Sequence, residues 1–164
     1  ISEAMAAKLN QQIKEETYSA WIYKAMAYSF EDMNLSVFAK WFFKQSQEEI
    51  EHADKFAKYL VNQGAKVKLT EIPAPKTDWA SGEEICEAAV EHEKKVTKMI
   101  HDLWDAAHTE GDKATLSFLN WFVDEQVEEV ASTTELLEMV KLAKTPGQIL
   151  MLEGRVWRMV ESRS

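Results

Sequence analysis

A chain of 164 residues with 46% hydrophobic and 29% charged side chains suits one globular domain (1–164) with a substantial core, and excludes disordered and collagen-like classes. The net charge of −9 argues against a generic nucleic-acid binder and fits either attraction of cations or plain solubility. A single cysteine, Cys86, excludes an intramolecular disulfide framework and any CxxC zinc or redox motif, so a reducing, cytoplasmic setting is expected.

No apolar run approaches the roughly 18–20 residues of a membrane span, and the first turns lack a signal-peptide layout. No methionine precedes Ile1, which is expected to reflect removal of one residue or of a targeting peptide. With only five Gly and three Pro, and apolar residues at helical spacing, the chain reads as all-α.

The first helix is expected from an N-cap at about Ser2 to about Asp32, with the stripe Met5, Leu9, Ile13, Ala20, Tyr23, Ala27 and Phe30. Glu16 falls in its one gap. A turn over 33–35 leads to a second helix, about Ser36–Gln63, closed by Gly64, with the stripe Phe38, Phe42, Gln45, Glu49, His52, Phe56 and Tyr59. Residues 64–80 hold two prolines and are too long for a tight turn, so they read as a crossover along the bundle that leaves helices two and three parallel.

Ser81 and Glu84 form a capping box for a third helix, about Gly82–His108, whose stripe Ile85, Ala89, Val96, Ile100, Leu103 and Ala107 is interrupted by Glu93. A short turn gives a fourth helix, about Lys113–Ala143, with Leu119, Phe122, Gln126, Glu129, Thr133, Leu136 and Val140 on one face. Thr145-Pro146 starts a short fifth helix, about Pro146–Val160.

At an offset of 80, Phe38, Trp41, Phe42, Glu48 and Glu49 fall on Phe118, Trp121, Phe122, Glu128 and Glu129. Helices two and four are therefore copies of one design, and Glu16 and Glu93 stand in a similar relation at an offset of 77. Each of the four acids, Glu16, Glu49, Glu93 and Glu129, lies near the middle of its helix, so they meet at mid-height in a bundle of any direction. No Lys or Arg occupies the stripes, and an unpaired buried ion costs several kcal/mol. The alternatives are protonated acids or an external counter-charge.

In QEEIEH, Glu49 and His52 share one helix face, the spacing that di-metal carboxylate bundles use. Four carboxylates and a neutral imidazole balance two divalent cations, and the mixed oxygen and nitrogen donors suit iron or manganese. One metal is expected on Glu16, Glu49 and His52, and the other on Glu49, Glu93 and Glu129, with Glu49 as the bridge. Ser132 stands where the repeat would place a second histidine, so the second metal has fewer ligands and is expected to be bound more weakly.

The segments LNQQIKEETYSAWIY, QSQEEIEHADKFAKYL, EHEKK and FLNWFVDEQVEE, in this order, resemble the non-haem ferritins of the prokaryotic type over nearly the whole chain. The resemblance implies the ferritin-like up-down-down-up four-helix bundle with one long crossover and a short fifth helix. It implies a 24-subunit hollow shell that oxidises Fe(II) with O2 or H2O2 at an intra-subunit dinuclear ferroxidase centre and stores the ferric mineral inside, without haem. It carries the iron ligands onto the same five residues, places Gln126 near the oxidant, and sets Tyr23 beside the centre. Tyr23 would donate a hydrogen bond or an electron, or serve only as a core residue. A third iron in some members matches Glu48, Glu125 and Glu128, which a solvated acidic face explains equally well.

A bacterioferritin would carry haem and usually ExxH in both halves, and a rubrerythrin-like peroxidase commonly adds a CxxC-bearing rubredoxin domain. Ser132 and the single cysteine count against them. A purely structural bundle leaves the four acids unexplained. Trp41 and Trp121 read as core aromatics, and His92, His101 and His108 as surface histidines.

Overall fold

The computed structural model describes residues 1–163. Four long helices, α1 (Glu3–Asp32), α2 (Ser36–Asn62), α3 (Gly82–Glu110) and α4 (Lys113–Leu142), are followed by the short α5 (Pro146–Met151) and α6 (Glu153–Ser162). The starts follow side-chain chemistry: the Ser2 hydroxyl accepts from Met5 N, Ser81 from Glu84 N and Thr145 from Gln148 N. At Ser81 the acid three residues on reaches back one residue further than a capping box requires, since Glu84 Oε2 accepts from Ala80 N at 2.5 Å. Gly64 and Gly111 end α2 and α3 at φ of 73° and 70°, a left-handed geometry that a Cβ disfavours.

Two apolar clusters fix the helix directions. The start of α1 (Met5, Leu9, Ile13), the end of α2 (Phe56, Leu60), the end of α3 (Ile100, Leu103) and the start of α4 (Leu119, Phe122) share one cluster. The end of α1 (Phe30), the start of α2 (Phe38, Phe42), the start of α3 (Ile85, Cys86) and the end of α4 (Leu136, Val140) share the other. The bundle is therefore up-down-down-up, and α2 and α3 run parallel. The crossover passes along α1. Asn10 Nδ2 donates to Lys66 O near the start of that helix, and Ser29 Oγ donates to Thr77 O near its end.

The expected fifth helix is divided at Leu152. There an N–H to Ile149 O bond tightens the turn to i,i+3 before α6 begins. α6 lies on α2 and runs parallel to it: Glu153 accepts from Val37 N, Lys40 Nζ lies 4.8 Å from the Trp157 ring centroid, and Lys44 Nζ donates to Val160 O. Val156 is fully buried in the second apolar cluster and anchors α6 there. Among the described residues, no helix is long and apolar enough to cross a membrane.

Candidate metal centre

The two apolar clusters leave a polar layer between them at mid-bundle. Glu16, Glu49, Glu93 and Glu129, one from each long helix, are each no more than 2% exposed and meet there with His52. Donor atoms of Glu16, Glu49 and His52 lie within 4.8 Å of one another, as do those of Glu49, Glu93 and Glu129. These are the residues of the two expected ligand sets, and Glu49 belongs to both.

Around the acids stand neutral hydrogen-bond donors. Gln12 Nε2 donates to Glu16 Oε1 at 3.1 Å. Gln45 Nε2 donates to Glu49 Oε1 at 3.1 Å and to Glu129 Oε2 at 2.7 Å. Gln126 Nε2 donates to Glu93 Oε2 at 3.1 Å, and the Tyr23 hydroxyl donates to Glu93 Oε1. His52 Nδ1 is 3.3 Å from Glu49 Oε2 and 3.9 Å from Glu16 Oε2. Glu16 Oε2 is buried and accepts no hydrogen bond, which fits a metal-facing oxygen.

The electrostatics follow from burial. Desolvation, reinforced by the neighbouring carboxylates, raises Glu16 and Glu49 well above the usual carboxylate range. Desolvation also raises Glu93, although Tyr23 and Gln126 stabilise its charged form. Burial and the charge of Glu93 push Glu129 up to about 8. Without a cation the layer therefore retains protons near neutrality, and a bound divalent cation would displace them. Mixed carboxylate and imidazole donors suit a first-row divalent ion such as iron, whereas the absence of thiolate from the layer disfavours soft-metal chemistry.

Among the described residues, the three acids of the expected third site do not form one donor group. Glu128 is exposed, Glu48 pairs with Arg163, and Glu125 joins His52 and Glu129 in a separate group with donor atoms within 4.8 Å. Two expectations are corrected. Trp121 is 40% exposed at the bundle surface, where the Lys55 ammonium lies 3.1 Å from its ring centroid and its edge faces His52. His92 is half-buried between α1 and α3, 2.7 Å from Ser19 Oγ and edge-on to Tyr23, and burial lowers its pKa to about 4.

No motif marks Gln12, Gln45 or Arg163. The two glutamines precede Glu16 and Glu49 by four residues, a spacing at which an amide reaches a carboxylate on one helix face, so a local signal existed. Arg163 has no such signal, because only the docking of α6 brings it to α2.

Residues 6–143 match the sequence profile of the ferritin-like domain. The chain belongs to the ferritin family. A bacterial non-heme ferritin of Bacteroides fragilis is 40% identical over 147 residues, covering 90% of this chain and 92% of that protein. One from Staphylococcus saprophyticus is 40% identical over 131 residues, covering 80% and 78%. An open-pore ferritin of the hyperthermophilic archaeon Archaeoglobus fulgidus superposes with a TM-score of 0.93 at 40% identity, covering 96% of this chain and 98% of that one. A closed form of the same ferritin, engineered by site-directed mutagenesis, matches with the same score and identity.

Proposed function

We propose that the chain is an iron-storage subunit that oxidises Fe(II) at the mid-bundle centre and, as one of 24 copies in a hollow shell, holds the ferric product inside. The observation that carries this reading is the pair of buried donor groups sharing Glu49, whose acids are met by neutral amides, a phenol and one imidazole. Such a layer has carboxylate charge to neutralise and a geometry for two cations. Kinship to non-heme ferritins supplies iron as the substrate.

The residues divide the work. Glu16 and His52 hold one Fe(II), Glu93 and Glu129 hold the other, and Glu49 spans both, so two one-electron donors face a single oxidant, O2 or H2O2. Carboxylate ligands stabilise Fe(III) over Fe(II) because anionic oxygen favours the higher charge. Protons displaced from Glu49 and Glu129 leave as iron enters. Tyr23 and Gln126 hold Glu93 from its two oxygens and fix its orientation. Tyr23→Phe, which leaves Glu93 without its phenol donor, is expected to slow oxidation about 10–100-fold with little change in assembly. Stopped-flow absorbance after anaerobic mixing of the metal-free protein with Fe(II), then O2, reads this effect.

The decisive experiment couples mass to capacity. Size-exclusion light scattering should give a shell near 24 subunits, and stepwise aerobic Fe(II) addition should keep hundreds of irons per shell in solution. A small oligomer saturating at two irons per chain would instead favour a rubrerythrin-like oxidase or peroxidase.

A further inference from the structure

Arg163, the C-cap residue of α6, reaches the border of the centre from the bundle surface. Arg163 lies beside Glu48 and Gln45 because α6 runs parallel to α2, in step from Glu153 at Val37 to Val160 at Lys44. Its Nη2 donates to Gln45 Oε1 at 2.6 Å and to Glu48 Oε2, and its guanidinium carbon sits 4.9 Å from the Trp41 ring centroid. Nη1 is buried without a partner. The guanidinium is thus held by a carboxylate, an amide and an aromatic ring.

Two consequences follow from these contacts. First, a fixed monovalent cation occupies Glu48, the half-buried acid next to the shared Glu49 in the chain. Second, Arg163 determines the orientation of the Gln45 amide. With Oε1 accepting from the guanidinium, Nε2 must face inward, where it donates to Glu49 and Glu129. One side chain therefore blocks an acid outside the centre and orients two ligands inside it.

We propose that Arg163 is a positioning residue that acts as an internal counter-ion: it closes the side of the centre bounded by Glu48 and limits the layer to two metal ions, a third being admitted at Glu48 only when the guanidinium withdraws. This inference rests on the two-metal reading of the centre. An arginine suits the role because its planar fork serves an amide and a carboxylate together and its charge persists at every physiological pH.

Zinc binding to the metal-free, assembled protein tests this without any redox step. Isothermal titration of the wild type should give two tight Zn(II) sites per subunit. Arg163→Gln should strengthen a third site about tenfold or more, because a charge-assisted contact no longer competes for Glu48. Adding Glu48→Gln to Arg163→Gln should cancel that gain, and Arg163→Lys should restore part of the exclusion. Light scattering of each variant confirms an intact assembly, and a chain ending at Ser162 provides a second route to the same loss. A third site equally weak in Arg163→Gln and wild type, or a gain that survives Glu48→Gln, overturns the proposal. A wild type that binds no zinc pair would instead overturn the two-metal reading itself.

Discussion

Glu49→Ala is expected to lower the fast aerobic oxidation of Fe(II) by more than about a hundredfold, since loss of a mere outer-shell partner already costs about 10–100-fold. Glu49 is the one acid common to both donor groups, so its truncation strips a ligand from each site at once. His52→Ala removes a ligand from the first of these two sites, so it should weaken one metal and spare much of the binding at Glu93 and Glu129. Titration with Zn(II) separates the two cases: one tight site should survive in His52→Ala, and both should weaken in Glu49→Ala. Assembly should persist in each variant because the apolar clusters lie above and below the polar layer. Oxidation in Glu49→Ala at the wild-type rate would remove the mid-bundle layer from the chemistry.

The helices and the layer were legible because they depend on periodicity. Stripes placed Glu16, Glu49, Glu93 and Glu129 at mid-helix, and a parallel or antiparallel arrangement brings mid-helix positions together either way. The repeat at an offset of 80 then paired α2 with α4. What escaped the sequence depends on contacts between distant segments. His92 lies one position off the α3 stripe, a register that predicts a solvated side chain, yet Ser19 on α1 and the ring of Tyr23 cover it. Trp121 repeats the fully buried Trp41, but only Trp41 is covered by α6 and its Arg163, so equal sequence positions have unequal burial. The division of the fifth helix at Leu152 likewise reflects a single tightened turn that composition does not announce.

Metal-free protein is expected to lose stability as pH rises from about 6.5 to about 8, the reverse of a protein whose buried acids are salt-bridged. Glu16, Glu49, Glu93 and Glu129 all titrate above the ordinary range when folded, Glu129 at about 8. Between the unfolded value near 4.5 and the folded value, the native state keeps protons that the unfolded chain has released. Stability then falls by about 1.4 kcal/mol per pH unit for each proton so retained. The contribution is complete below about pH 4.5 and is lost as pH climbs through the folded values. His92 acts oppositely, with a folded pKa lowered to about 4, but its effect ends once the unfolded imidazole has deprotonated near 6.5. Above that point the raised acids still pull the slope downward. Thermal midpoints of chelator-treated protein at constant ionic strength should therefore drop between these two pH values, while Glu129→Gln should flatten the drop. Saturating Zn(II) should abolish the drop, because a bound cation displaces the retained protons and leaves the folded and unfolded acids equally deprotonated over this window. A metal-free midpoint that is flat or rising over this window would mean that the four acids are ionised in the folded chain and already neutralised by something other than a proton.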